Sequence, residues 1–170
     1  LAPNSPAKVM IGGLGLGFTL KSVVTIAGPA VLIEVVELVP AVIEWNQSFL
    51  AELNGHALGA PNVTTVAGDA VDHILASQPQ TYDAILLDLD NGPIAMVTPS
   101  NHRLYGVAGL RAVFEALNKG GRAVFWSAQA DAAFQTRLEK VGFVVTAVPA
   151  KVHERAKRAA YTLYVAERKG

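Results

Sequence analysis

The stretch Lys8-Val9-Met10-Ile11-Gly12-Gly13-Leu14-Gly15-Leu16-Gly17 decides how the chain is read. Lys8 to Ile11 form a short, mostly apolar run that stops at Gly12, the pattern of a buried strand. Glycines recur at 13, 15 and 17, and residues 18–26 read as a helix with an apolar face. A glycine-rich turn between a first strand and a first helix sets bare backbone beside a ligand, where side chains would block the approach. The dinucleotide fingerprint G-x-G-x-x-G needs a third glycine at position 18 or 20. Those positions hold Phe18 and Leu20. The spacing found, G-x-G-x-G, suits a nucleoside ligand without a pyrophosphate, such as S-adenosylmethionine. An ordinary tight strand–helix turn is the competing reading. No Lys-Ser/Thr pair directly follows Gly17, so the turn is not a P-loop.

Outward from this turn, element types alternate. Gly28-Pro29 ends the first helix, and Ala30 to Val36 reads as a second strand. Pro40 suits a first helical turn, and Ala41 to Leu53 reads as its continuation, closed by Asn54-Gly55. Val63 to Val66 is a third strand, ending at Gly68-Asp69, with a helix over 70–77. Asp83 to Leu87 is a fourth strand, and Gly92-Pro93 opens a long loop to about residue 102. A helix from Ala108 to Leu117 stops at Lys119-Gly120-Gly121, and Arg122 to Trp126 is a fifth strand. Ala130 to Val141 is a helix ended by Gly142. Phe143 to Val148 and Tyr161 to Ala166 read as closing strands around a basic turn. Apolar strands alternating with helices predict an α/β fold, Rossmann-like, with helices on both faces of a mostly parallel seven-stranded sheet. The last two strands, with no helix between them, predict an antiparallel C-terminal edge hairpin. Residues 1–170 are expected to form one domain.

Composition narrows the function classes. The 170 residues are 51% hydrophobic and 16% charged, a globular composition with enough apolar surface for one core. Fourteen Lys plus Arg balance fourteen Asp plus Glu, which argues against bulk attraction to nucleic acid. Cysteine is absent, so disulfides, thiolate metal sites and a Cys nucleophile are excluded. A cytoplasmic location fits that absence. Charge is unevenly spread: residues 1–100 hold nine acids and two bases, and residues 101–170 hold five acids and twelve bases. The short basic run at Lys151, Arg155, Lys157 and Arg158 reads as solvated surface rather than a docking face. No apolar stretch is long enough for a membrane span. The opening Leu-Ala-Pro-Asn-Ser-Pro lacks Met and is not a signal peptide, which predicts that sequence precedes residue 1 in the gene product.

Four carboxylates fall at successive strand ends. Glu37 lies twenty residues beyond Gly17, where an acid accepts hydrogen bonds from both ribose hydroxyls. Glu34, in mid-strand, reads as a structural or edge residue. Asp69 is placed to take an adenine amino group, and Asp88 and Asp90 follow strand four beside the same crevice. Ligands of open α/β sheets bind beyond the carboxyl ends of the strands. Each acid alone also reads as a helix cap or turn residue. The ligand-binding set is Gly12, Gly13, Gly15, Gly17, Glu37, Leu38, Asp69, Ala70 and Asp88, with Asp88 and Asp90 as the catalytic pair.

Several segments carry a family resemblance: Val9-Met10-Ile11-Gly12-Gly13, Val36-Glu37-Leu38-Val39-Pro40-Ala41-Val42, Gly68-Asp69-Ala70, Tyr82-Asp83-Ala84-Ile85-Leu86-Leu87-Asp88, and Leu104-Tyr105 through Leu117-Asn118-Lys119-Gly120-Gly121. In order and spacing, from about residue 8 to 126, they resemble the catalytic domain of spermidine synthase-like proteins. That family lies within the class I S-adenosylmethionine-dependent methyltransferases. The resemblance implies that Glu37 holds ribose, Asp69 adenine, and Asp88 the reacting end. Gly15 stands where the family carries an Asp in its glycine loop. Val39-Pro40 replaces an acid-Pro pair, and Asn91 replaces the second acid of D-x-x-D-P. The family's strand-rich N-terminal domain is not among these residues.

The expected ligand is S-adenosylmethionine or its decarboxylated form, and the expected partner a small acceptor such as a polyamine. A polyamine needs several carboxylates to offset its lost hydration, whereas methyl transfer relies on alignment of the nucleophile. Methyl transfer therefore ranks ahead of aminopropyl transfer to putrescine, with a non-catalytic nucleoside-binding module and a nicotinamide oxidoreductase as rivals. His56, His73, His102 and His153 are scattered, which predicts no metal site. Tyr105 and His102, after the long loop, are the residues placed to touch substrate from a lid, with a surface role favoured for His102. Trp45 reads as core packing. An exposed edge strand near the C-terminus offers a homodimer contact.

Overall fold

The computed structural model describes residues 6–89, 101–151 and 160–170, with only the backbone at Asn101 and His102. Its strands are β1 (Lys8–Gly12), β2 (Leu32–Glu37), β3 (Val63–Ala67), β4 (Tyr82–Leu87), β5 (Leu117–Ser127), β6 (Val144–Ala150) and β7 (Tyr161–Glu167). They form one seven-stranded sheet in the order β3-β2-β1-β4-β5-β7-β6. β1 to β5 run parallel, and β7 is antiparallel to both β5 and β6, as the alternation predicted. The order reverses at β1, which has β2 on one side and β4 on the other. That reversal opens a crevice at the carboxyl ends of β1 and β4.

The helices are α1 (Phe18–Ala27), α2 (Pro40–Gln47), α3 (Ala51–Asn54), α4 (Ala70–Ala76), α5 (Asn101–Tyr105), α6 (Val107–Ala116) and α7 (Ala132–Val141). α4 to α7 pack on one face of the sheet. Their Ile74, Leu104, Leu110, Val113 and Phe134 meet Met10, Ile85, Leu87 and Phe125. α1 and α2 pack on the other face around Ile11, Leu20, Ile33 and Val35. The second layer is narrower. Along β5 and β7, Ala123, Phe125, Thr162, Tyr164 and Ala166 are buried, while Val124, Trp126, Leu163 and Val165 on the opposite face stay partly exposed.

Four local expectations are corrected. The helix expected to run from Pro40 to Leu53 breaks at Ser48, whose φ of −114° and ψ of −109° leave the helical region. The Ser48 hydroxyl donates to Glu44 O at 2.6 Å, and the Ser48 and Leu50 N–H groups both turn back to Trp45 O. Side-chain competition for backbone partners ends helices in this way. Trp45 is 46% exposed rather than in the core, its ring tilted against Phe49 with centroids 6.1 Å apart. β5 begins at Leu117, before the Lys119-Gly120-Gly121 segment, because Leu117 pairs with Tyr82 across a register shift. α5 is an element that the loop reading did not anticipate.

β6 is an outer edge of the sheet. Ala150 O accepts the Ala160 N–H at 2.9 Å, so residue 150 directs its backbone inward. Neighbouring residues of a strand direct their backbone groups to opposite sides, so Pro149 faces outward, where no ladder donor is needed.

Glu34 is structural, and it lies inside the sheet rather than at an edge, since β2 runs between β1 and β3. Its carboxylate accepts from Tyr82 Oη at 2.5 Å, His73 Nε2 at 3.0 Å and Lys8 Nζ at 3.3 Å. Burial works against its charged form, but the bonds from Tyr82 and His73 and the Lys8 charge outweigh it and hold the carboxyl below its usual range. The same burial, with the charge of Glu34, pushes the Tyr82 phenol up from 10.0 to about 12. The unfolded chain therefore loses the phenolic proton first. Stability that is full below pH 10 falls as pH rises towards about 12. We expect the wild-type chain to lose about 2 kcal/mol more than Tyr82→Phe across that window. Urea denaturation at stepped pH checks this, and parallel pH profiles would contradict it.

Candidate active site

β1 delivers the chain to Gly12, and the turn through Gly17 starts α1. Gly13 takes φ +90°, and a Cβ there would sit 2.5 Å from Asp88 O. Only glycine allows β1 and β4 to come this close at their ends. The Gly13 N–H donates to Val36 O at 2.9 Å, and the Asp88 N–H to Gly12 O at 3.0 Å. The turn is thereby tied to both neighbouring strands.

Glu37 closes β2 and is 8% exposed. Its Oε2 accepts the Leu14 N–H at 2.8 Å, and its Oε1 accepts the Val39 N–H at 2.9 Å. One carboxylate thus fastens the glycine turn to the strand beside it. A carboxylate has about four lone-pair sites, so each oxygen retains capacity for a further donor. Asp69 follows β3 and caps α4, with Oδ1 accepting the Val71 N–H at 2.7 Å. Its Oδ2 lies 3.5 Å from Arg103 Nη2, which also binds Asp72 at 2.9 Å. Asp88 follows β4. Its side chain is reached by solvent yet sits in a concave wall, and the loss of hydration there raises its carboxyl above the usual range.

These residues share a cavity of 290 Å³ at the carboxyl ends of the strands. Of the expected ligand-binding set, Gly13, Gly15, Glu37, Leu38, Asp69, Ala70 and Asp88 line it. Gly12 and Gly17 are not among its lining residues. A Cβ on Gly12 would meet Leu87 at 2.9 Å, and one on Gly17 would meet Asn46 Oδ1 at 2.6 Å. Both glycines serve packing of the turn. Asp90 lies outside the described residues, as do Arg155, Lys157, Arg158 and the His102 side chain, while Lys151 is exposed. Tyr105 is 4% exposed, its ring edge-on to Phe134 at 5.6 Å and its hydroxyl 3.4 Å from Leu89 O. It is buried in the core, and the loop expected to form a lid lies outside the described residues. Among the described residues no cluster of His, Asp and Glu is set to hold a metal.

Sequence reading missed a chain of amides behind the turn. Asn46 Nδ2 donates to Gly15 O and to Val42 O, each at 2.8 Å. Asn54 Nδ2 donates to Asn46 Oδ1 at 2.8 Å. Asn46 and Asn54 are 1% and 0% exposed. Val39, Val42 and Leu89, also unforeseen, add apolar wall to the cavity. The sequence signal for the amides was no more than an Asn on each of two short helical stretches, which names no partner.

The spermine/spermidine synthase domain model matches residues 1–157. The chain belongs to that family. Putrescine N-methyltransferase 2 of Nicotiana attenuata is 34% identical over 120 residues, which are 70% of this chain and 30% of that protein. A polyamine aminopropyltransferase of Corynebacterium efficiens is 33% identical over 135 residues, 76% of this chain and 24% of that one. The chain thus spans less than a third of the length of these curated relatives. In fold, the spermidine synthase of Thermotoga maritima superposes with a TM-score of 0.69 at 20% identity, covering 98% of this chain and 55% of that one. The family named by resemblance is therefore the family found, and its relatives are group-transfer enzymes. Two further chains of this fold were solved with ligands: human methyltransferase-like protein 13 with SAH, at a TM-score of 0.71, and a spermidine synthase with the transition-state analogue AdoDATO, at 0.67, each 19% identical to this chain. Among the described residues, no helix is long and apolar enough to cross a membrane.

Proposed function

We propose that this chain binds S-adenosylmethionine in the 290 Å³ cavity and transfers its methyl group to a small amine. The observation that carries the reading is the meeting of Glu37, Asp69 and Asp88 around one bare turn. Glu37 offers free lone pairs to ribose hydroxyls, Asp69 faces the base, and Leu38, Val39 and Val42 cover its apolar surface. Asp88 sits at the reacting end, near a sulfonium and an incoming amine. Its carboxylate aligns the amine and favours the cationic nitrogen that forms. Alignment of two reactants accounts for much of such a rate enhancement, because the sulfonium is already a good leaving group.

Gly15 favours the methyl donor over its decarboxylated form. Nothing lies within 4 Å of where a Cβ would stand there. The turn thus leaves room for the donor's carboxylate and places no negative charge to repel it. Aminopropyl transfer is the second reading, favoured by the Corynebacterium relative. Zero net charge and the absence of cysteine fit a small-molecule acceptor in the cytoplasm rather than nucleic acid.

Calorimetry with S-adenosylmethionine, its decarboxylated form and NAD tests the reading. We expect the sulfonium ligands to bind and NAD to give no heat. Tight NAD binding with no response to the other two overturns the assignment. Asp88→Asn is expected to lower turnover about tenfold, the scale of one charged hydrogen bond, while donor affinity changes less. Equal loss of both would assign Asp88 to binding alone.

A further inference from the structure

One buried amide ties together two walls of the donor cavity. Asn46 Nδ2 donates to Gly15 O and to Val42 O, each at 2.8 Å, and Gly15 and Val42 both line that cavity. An amide NH2 has two hydrogens, so both are committed to the wall. Asn54 Nδ2 in turn donates to Asn46 Oδ1 at 2.8 Å and to Asn46 O at 3.2 Å, which fixes the plane of the Asn46 amide. Asn54 is 0% exposed, and among the described residues its own Oδ1 has no partner. An orphaned buried oxygen costs stability, so packing alone would be served better by an apolar side chain there. What the placement secures is the orientation of Asn46.

That orientation governs one peptide of the turn. The Gly17 N–H donates to Leu14 O at 2.9 Å, which leaves the peptide between Gly15 and Leu16 in the middle. No peptide bond among the described residues is cis. With Gly15 O aimed at Asn46, the N–H of the same peptide, on Leu16, therefore points the opposite way. Among the described residues no group accepts that N–H. The turn is open at Gly15, where nothing lies within 4 Å of a Cβ position.

We propose that Asn46, held by Asn54, is a positioning residue for the carboxylate end of the donor. It presents the Leu16 N–H to that carboxylate and sets the gap between the glycine turn and the α2 wall. The inference rests on the donor site assigned above and adds how that site tells a donor with a carboxylate from one without. The amide acts through the turn and touches no ligand itself. Without its bond, the Gly15 carbonyl is free to swing towards the cavity, where it would meet the donor's carboxylate acceptor against acceptor. A ligand that ends at its sulfur has no group there to lose.

Calorimetry on the 170-residue chain compares S-adenosylhomocysteine, the demethylated donor, with 5′-methylthioadenosine, which shares its nucleoside and sulfur but has no amino-acid end. Asn46→Ala removes both bonds, and Asn46→Asp replaces the NH2 donor with an acceptor of nearly the same shape. Both are expected to weaken S-adenosylhomocysteine by about tenfold or more, the scale of one hydrogen bond to a charged group, and methylthioadenosine by less than about threefold. Asn54→Ala, which keeps Asn46 but frees its amide, should lose part of the same discrimination. Melting curves check that each variant folds. The wild-type chain with 15N-labelled leucine gives a readout that needs no change at the amides. Its Leu16 amide proton, assigned by its loss in Leu16→Met, should move downfield with S-adenosylhomocysteine and not with methylthioadenosine. Equal loss of both ligands in the Asn46 variants would assign the amides to structure alone and overturn the inference. An unmoved Leu16 amide in wild type saturated with S-adenosylhomocysteine overturns it too, and decides the matter if the variants do not fold. Failure of the wild-type chain to bind either ligand instead overturns the donor assignment on which the inference rests.

Discussion

Gly13→Ala is expected to abolish measurable donor binding and to lower stability by about 2–5 kcal/mol. Two costs combine. At φ +90° an L side chain is strained, by about 1–2 kcal/mol. The added methyl would also lie 2.5 Å from Asp88 O and 3.3 Å from its carbonyl carbon. Those atoms are backbone, and no rotamer change moves them aside. Relief requires β1 and β4 to part at their ends, and forced overpacking of this kind costs about 1–3 kcal/mol. Parting them also displaces Asp88 from the cavity. Gly15→Ala is the control for stability alone: it shares the strain of a positive φ, +51°, but has nothing near its Cβ position. Its loss of stability should be the smaller of the two. Urea denaturation and donor calorimetry on both variants measure the difference, and an unchanged midpoint in Gly13→Ala would contradict this packing.

Glu37→Ala is expected to weaken the donor by about 1–3 kcal/mol for the lost ribose bonds alone. It also removes the acceptor for the Leu14 and Val39 N–H groups. The Leu14 bond is buried, so its orphaned donor costs about 1–3 kcal/mol of stability. The turn loses its tie to β2, and affinity should fall beyond the ribose share. Glu37→Gln separates the contributions. Its amide oxygen satisfies one of the two N–H groups, while its NH2 confronts the other, so it should lie between wild type and Ala in both stability and affinity. Equal donor affinity in wild type and Glu37→Ala would show that the ribose lies elsewhere.

Most strands were legible because each is a short apolar run between turn signals, as Ala84-Ile85-Leu86-Leu87 is, whereas the first half of β5 runs through a turn signal of its own. Buried parallel strands need no alternation, and length with flanking glycine or Asp suffices. The acids at strand ends were legible for a geometric reason: a parallel sheet directs all those ends to one side. What each acid touches was not. Glu37 and Asp69 were read as ligand contacts with a cap or turn role as the alternative, and both do hold backbone N–H groups of their own chain, though which ones the sequence did not say. The Asn46–Asn54 pair was illegible because its meaning depends on which loop lies beside α2. The break at Ser48 escaped notice because Ser is tolerated in helices, and only local geometry decides whether its hydroxyl turns back. Trp45 misled for a simpler reason. Its size argues for burial, but its partner Phe49 is itself 69% exposed.

Pro149 bears on how copies of this protein meet. It occupies an outward-facing position on the free margin of β6, where an incoming strand would look for an N–H. A neighbour docking along that margin finds a gap in the row of donors, one residue from the strand's end at Ala150. Sheet-to-sheet stacking into open-ended polymers is interrupted there, and any pairing of two copies along β6 is confined to the segment before residue 149.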